Sequence, residues 1–232
     1  PPPLLPSRPP PPAPPPAAAP PAGPALAVAI VGSPSPTGLG GCQFTTVRDA
    51  LLATGKFNKV ALVDASGDTP TLADLAGFDS LLVFTNVALF DNDAFGDVLA
   101  DYADAGGGVV GPFVPSNSLQ GGGLDIGGRW ATGGYEVFAF HGSLTVSPAG
   151  LGTILEPAHP AMAGVTALDG GPNAPRPQAT TPLAPGARVI AEWTDGSPLV
   201  IQGANPRRID MGIYPPDASC APFNWVSGDA YL

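Results

Sequence analysis

Charge, cysteine and histidine are all scarce in this sequence. Only 12% of its 232 residues are charged, and 19 Asp plus Glu outnumber 9 Lys plus Arg to give a formal net charge of −10. Nucleic acids and anionic membrane surfaces repel such an acidic chain, so we expect neither as a partner. No apolar run approaches the ~20 residues that cross a bilayer, which predicts that there is no membrane span.

There are only two cysteines, Cys42 and Cys220. Such a pair is compatible with one disulfide in an oxidising compartment and also with two buried free thiols. The sequence has no Asn-x-Ser/Thr acceptor site, so any glycans are expected to be O-linked.

Proline and glycine are abundant instead, with 32 and 31 residues. Residues 1–24 contain 14 of the prolines and one charged residue, Arg8. Because proline lacks the amide N–H and fixes φ, this segment is expected to form an extended polyproline II helix. We therefore predict two parts, a Pro-rich tail over residues 1–24 and a folded domain over residues 25–232.

The tail resembles the hydroxyproline-rich glycoproteins of plant and green-algal extracellular matrices. The resemblance rests on the proline blocks Pro9–Pro12 and Pro14–Pro16 and on the Ser-Pro-Ser-Pro run Ser33–Pro36. It implies an extracellular, O-glycosylated protein, whereas a simple bacterial spacer is the alternative. The glycan positions it implies are Pro10, Pro11, Pro12, Pro14, Pro15, Pro16, Ser33, Pro34, Ser35 and Pro36.

From residue 25 onward, short apolar runs alternate with helical patterns. Strands are expected at residues 25–32, 59–63, 80–84 and 109–110. Helices are expected from a cap at Thr45 or Thr46 through Ala53, around Leu72–Ala76, and from Asp91 or Asn92. Three later strands, at 188–193, 198–202 and 208–214, are close enough in sequence for antiparallel hairpins. The pattern predicts an α/β fold of flavodoxin-like type, with a mostly parallel sheet, flanking helices and antiparallel strands near the C-terminus. A last helix is expected to start at Ser227–Asp229.

The domain resembles the trehalose-utilisation-like and class I glutamine-amidotransferase-like α/β domains. The matching segments are the first strand, residues 27–32, the stretch Glu156–Val165, the pair Ile190–Trp193 and Gly196–Val200, and the final Arg208–Pro215. This resemblance specifies the fold better than an activity. The amidotransferase nucleophile is a Cys in the turn after a central strand, and the corresponding turn here is Thr85-Asn86-Val87. We therefore expect no enzymatic activity, no catalytic residue and no cofactor.

The remaining candidates for chemistry are the two histidines and an acidic cluster. His159 lies between prolines, where a ring that fixes the turn is the favoured interpretation, and His141 follows aromatic residues and is expected to pack. The acidic cluster is expected to form a solvated helix face and to bind no metal. Its members are Asp91, Asp93, Asp97, Asp101 and Asp104.

If the first and last strands run in the same direction, the residues that follow them meet at one end of the sheet. Cys42 follows the first strand and Cys220 follows the last one. This arrangement favours the disulfide over the free thiols, and we predict a Cys42–Cys220 bond that closes nearly the whole domain.

Two functions from different classes are compatible with these features. In the favoured hypothesis, the chain is a non-enzymatic structural subunit of an extracellular filament or matrix, and its tail binds the next copy head-to-tail. Its partners are then other copies of itself and O-linked glycans. The alternative is a secreted hydrolase-like or carbohydrate-binding domain on a Pro-rich stalk. The residues expected to carry assembly are Leu4, Leu5, Pro9, Pro10, Pro11 and Pro12.

Overall fold

The computed structural model describes residues 26–34, 41–112, 125–139, 144–220 and 224–231. The strands in chain order are β1 (Leu26–Ser33), β2 (Phe57–Asp64), β3 (Ser80–Thr85), β4 (Gly108–Pro112), β5 (Leu144–Ser147), β6 (Leu151–Ile154), β7 (Leu168–Asp169), β8 (Ala174–Pro177), β9 (Arg188–Trp193), β10 (Pro198–Gln202), β11 (Arg208–Met211) and β12 (Ser227–Gly228). The helices are α1 (Cys42–Ala53), α2 (Leu72–Leu75), α3 (Asn92–Asp104) and α4 (Gly128–Thr132), with a 3-10 helix at Pro160–Met162.

Over the described ranges, eight strands form one sheet in the order β2-β1-β3-β4-β11-β10-β9-β6. The five strands from β2 to β11 in this order are mutually parallel, and β10, β9 and β6 continue the sheet with antiparallel pairing. This confirms the α/β fold with antiparallel strands near the C-terminus. Helices α1, α2 and α3 connect the first four strands and cover both faces of the sheet, as parallel connections require.

The two faces of the sheet carry separate hydrophobic cores. On one face, Phe95 and Leu99 of α3 and Trp130 of α4 pack on alternate residues of β1 and β3. On the other face, Phe44 and Val47 of α1 pack on the intervening residues of the same strands. Strands β1 and β3 are therefore buried on both sides, which explains their nearly continuous apolar sequence.

The predicted and observed starts of a helix agree where a side chain caps the helix. Asp91 is the N-cap of α3, and its carboxylate accepts hydrogen bonds from the amides of Asp93 and Ala94 at 3.1 and 2.9 Å. For α1, the expected cap at Thr45 or Thr46 is wrong. This helix begins at Cys42 after Gly41, and the Thr45 hydroxyl instead donates to the Gly41 carbonyl, one turn back, at 2.9 Å.

The helix expected to start at Ser227 is also wrong. Ser227 and Gly228 pair with Asp169 and Leu168 as strand β12. The Asp229 carboxylate does not cap a helix of its own, because it accepts hydrogen bonds from the backbone of the segment before β7. The tail and its boundary at residue 24 lie outside the described residues and stay predictions.

Candidate functional site: an apolar groove on one face of the sheet

The carboxyl end of the sheet is closed by the bond between Cys42 and Cys220. The structure joins these residues in a disulfide with their Cα atoms 5.7 Å apart, which is the pairing expected from the sequence. Strands β1 and β11 run in the same direction, so the residues that follow them reach the same end of the sheet. The bond spans 178 residues and so encloses most of the folded domain.

Two of the expected glycan positions are wrong, because the structure buries them at this same end. Ser33 is the last residue of β1 and is fully buried, and its hydroxyl donates a hydrogen bond to the Val87 carbonyl. Pro34 is buried beside it. A glycan needs a solvent-facing attachment atom, so neither residue can carry one. The other expected glycan positions and all six expected assembly residues lie outside the described residues.

The turn that would hold an amidotransferase nucleophile is occupied by Tyr214. Its hydroxyl lies 3.3 Å from the Thr85 carbonyl and 3.4 Å from the Asn86 side-chain oxygen. Its ring packs edge-on against Phe84 with 5.5 Å between ring centroids. Burial raises the pKa of Tyr214 well above its usual value, so the phenol stays protonated and serves as a hydrogen-bond donor.

His159 fixes a turn, as the sequence interpretation expected. Its Nδ1 atom accepts a hydrogen bond from the Ala161 amide at 3.2 Å, and the residue is the N-cap of the 3-10 helix. The other histidine, His141, lies outside the described residues.

The acidic residues of α3 form more than a solvated face, because they hold α4. Asp93 and Asp97 accept hydrogen bonds from the amides of Gly128 and Arg129 at 2.9 and 2.8 Å. The Arg129 guanidinium then pairs with the carboxylates of Asp101 and Asp104. In the part of the chain that the structure describes, no group of three or more acidic, His or Cys side chains is arranged to hold a metal ion.

A buried ion cluster that no sequence motif indicated lies on the α3 face of the sheet. Arg208 pairs with Asp210 at 2.6 Å and lies over the Trp130 ring, and its Nε donates to the Tyr135 carbonyl at 3.2 Å. Burial raises the pKa of Glu136 to about 7, against the attraction of Arg208. The contacts tie β11 to α4 and the segment that follows α4, which is a structural role.

One candidate for binding is an apolar groove on the α1 face, with a volume of about 280 Å³. Its floor is formed by side chains of the central strands β4, β11 and β10. Val110 lies beside Ile209 in the sheet register, and Met211 lies beside Val200. All four side chains are only partly buried, although they belong to interior strands. This part of the sheet face is therefore left uncovered by α1.

The walls and one end of the groove come from segments distant in sequence. Leu51 of α1 and Phe57 of β2 form one wall, and Met162 and Val165 form the other. The end is lined by Tyr231, and its orientation is fixed by neighbouring contacts. The Tyr231 hydroxyl donates to the Pro215 carbonyl at 2.8 Å, and its ring packs edge-on against Trp225 at 5.2 Å.

Comparisons with known proteins identify the fold through similarity to solved structures. No protein-family model matches the chain, and no curated protein sequence matches it. Among solved structures, a ThuA-like protein from Bacteroides uniformis has a TM-score of 0.59 at 16% identity and covers 86% of this chain and 85% of its own. A ThuA-like protein from Parabacteroides merdae has a TM-score of 0.49 at 13% identity and covers 81% of this chain and 78% of its own. The first similarity shows that the chain has the ThuA-like, flavodoxin-like fold, as expected from the sequence.

The structure describes no helix that is long and apolar enough to span a bilayer.

Proposed function

We propose that this chain is a non-enzymatic structural subunit of an extracellular filament, in which the Pro-rich residues 1–24 of one copy bind the folded domain of the next copy. The observation that carries the proposal is the way the tail is anchored. The tail continues into β1, which lies inside the sheet between β2 and β3 and runs parallel to both. A pull on the tail therefore acts along β1 and loads two rows of backbone hydrogen bonds at once.

The disulfide extends this anchor across the domain. Cys42 begins the helix that follows β1, and its bond to Cys220 encloses α1 and strands β2 to β11 in one covalent loop. If β1 were pulled out of the sheet, the load would pass directly to Cys220 through the disulfide. Such a layout suits a subunit that transmits tension along a filament.

The reach of the tail favours binding to another copy. As polyproline II, 24 residues extend about 75 Å, whereas a compact domain of some 200 residues is about 35 to 40 Å across. A contact between the tail of one copy and the domain of the next uses two different surfaces. Repeating such a heterologous contact produces an open filament unless the rotation closes a ring.

A secreted hydrolase-like or carbohydrate-binding domain on a Pro-rich stalk is the second candidate, and its ligand would bind at the carboxyl ends of the strands. At that end, the hydroxyls of Ser33 and Tyr214 are engaged by the backbone of residues 85–87. These internal contacts favour the filament subunit.

Deleting residues 1–20 tests the proposal, since it removes the tail and leaves the domain. The described hydrophobic cores are built from residues 29–231, so we expect the shortened chain to unfold at the same temperature as the full chain. We expect it to sediment as a monomer and to form no fibres in negative-stain images. A full-length control in which residues 1–20 become a Gly/Ser sequence separates tail chemistry from tail length and should also stay monomeric. Fibres from either variant would exclude the proposal.

The O-linked glycans are part of the proposal and have a separate test. With Ser33 and Pro34 buried, the positions that remain are on the tail and at Ser35 and Pro36. The intact mass of native material should then exceed the 23.1 kDa of the bare chain, with the excess on peptides from residues 1–24 and 35–36. A native mass equal to that of the bare chain would remove the glycoprotein part of the proposal and leave the filament part standing.

A further inference from the structure

Resting on the proposed function, we infer that the apolar groove between α1 and the segment 162–165 is the receptor for the tail of the neighbouring copy, with Leu4 and Leu5 as the bound side chains. The groove is unusual because its floor consists of Val110, Ile209, Met211 and Val200 from three interior strands. Interior strands of a mostly parallel sheet are normally covered on both faces. An occupant that covers this floor would complete the α1 face.

The chemistry of the groove matches a Pro-rich segment. Polyproline II segments bind grooves lined with apolar and aromatic side chains, because the preformed helix loses little entropy on binding. Here Phe57 and Tyr231 supply aromatic lining, and Tyr231 is held in place by Pro215 and Trp225. The volume of 280 Å³ is far above the roughly 10–15 Å³ that one water molecule needs by the same measure.

Within residues 1–24, Leu4 and Leu5 are the natural anchors. All other residues of that segment are Pro, Ala, Gly, Ser or Arg, so the two leucines are its only large aliphatic side chains. Burying two leucines from water stabilises a contact by roughly 4 to 8 times the energy of one buried methylene.

Charge supports the same pairing. Arg8, the one charged residue in residues 1–24, follows Leu5 by three positions, which is one turn of polyproline II. Asp229 lines the groove, and its carboxylate accepts hydrogen bonds from the amides of Thr166 and Ala167. These bonds lower the pKa of Asp229, so the groove carries a negative charge at neutral pH where the tail carries its positive one.

The geometry of the tail favours the groove of the next copy over its own. The described chain begins at Leu26, and Val28, two residues later, already lines the groove. If residues 1–24 form the expected polyproline II helix, about 65 Å of chain separates Leu4 and Leu5 from their own groove. A straight tail therefore starts beside its own groove and points its anchors away from it.

Complementary variants test the contact directly in the full-length chain. The tail variant carries Leu4→Asp and Leu5→Asp. The groove variant carries Val165→Asp, and a matched control carries Val146→Asp, which changes an exposed valine of β5 that does not line the groove. We expect the tail and groove variants each to raise the concentration needed for assembly at least ~30-fold, as a hot-spot residue does, and the control to assemble like the unmodified chain.

Mixing the tail and groove variants gives the sharpest result. Each mixture then contains one working tail and one working groove, so we expect sedimentation to show two-subunit complexes that cannot grow further. Tyr231→Ala serves as a second groove variant if Val165→Asp lowers the unfolding temperature. Fibres from folded groove variants, or no complex in the mixture, would overturn the groove assignment. If the tail variant is monomeric in those cases, the filament proposal survives, whereas a tail variant that still polymerises overturns the filament proposal itself.

Discussion

A single oxidised copy, pulled by its tail and its C-terminus, should lengthen by only about 100 Å when it unfolds. Of the domain over residues 25–232, only residues 25–41 and 221–232 lie outside the disulfide loop, and these are about 30 residues at roughly 3.4 Å each. With the disulfide reduced, about 200 residues become extensible and the step should grow to about 700 Å. The physical reason is that the disulfide joins the two cysteines, which are 178 positions apart, so the chain between them cannot extend under load.

Single-molecule force spectroscopy with and without reductant measures both steps. The double variant Cys42→Ser and Cys220→Ser is the matched control, because it should give the long step under oxidising conditions. The same variant should also unfold at lower denaturant, since a loop of this length contributes about 5 kcal/mol in the chain-entropy model. A long step from the oxidised unmodified chain would show that the disulfide does not limit its extension.

Replacing Gly32 by Ala should cost the domain about 3 to 5 kcal/mol of unfolding free energy. Gly32 lies near the end of β1 with φ of +150°, a conformation that side chains rarely adopt. A Cβ atom there would lie 1.9 Å from the carbonyl oxygen of Phe84 on β3. Backbone cannot yield as a flexible side chain can, so β1 and β3 would have to separate at the carboxyl end of the sheet.

Gly67→Ala is the control for this substitution. Nothing lies within 4 Å of a Cβ at Gly67, and its φ is not positive. We expect that variant to be unchanged or up to about 1 kcal/mol more stable, since Ala restricts the unfolded chain. Urea unfolding of both variants with the disulfide intact gives the comparison, and a loss below about 1 kcal/mol for Gly32→Ala would contradict the close packing of β1 on β3.

Most strands and helices could be predicted from the sequence, because the residues that determine each of them lie within that element or next to it. The apolar runs that became β1 and β3 are buried on both faces, so their composition alone identifies them. Asp91 identified the start of α3 because its side chain caps the helix. The start of α1 was missed since Gly41 caps it without a side-chain hydrogen bond, and Ser227 was mistaken for a helix start because its partner strand lies 58 residues earlier in the chain.

The groove could not be predicted from the sequence, because it is a gap between elements. Ile209 and Met211 alternate with Arg208 and Asp210, a pattern equally typical of a strand whose apolar face is fully covered. Whether a helix lies over that face depends on where α1 packs and where the segment 160–165 crosses the sheet. Ser33 is the reverse case, a residue expected to be exposed that the structure buries. Its Ser-Pro context is typical of an exposed glycan site, but Ser33 pairs with β3 inside the sheet.

Helical reconstruction of the native material by electron cryomicroscopy would show which copy each tail contacts. We expect fibres in which residues 1–20 of one copy lie along the groove of the next, with Leu4 and Leu5 packed over Ile209 and Met211. Dispersed monomers, or tails that contact only their own domain, would contradict this expectation.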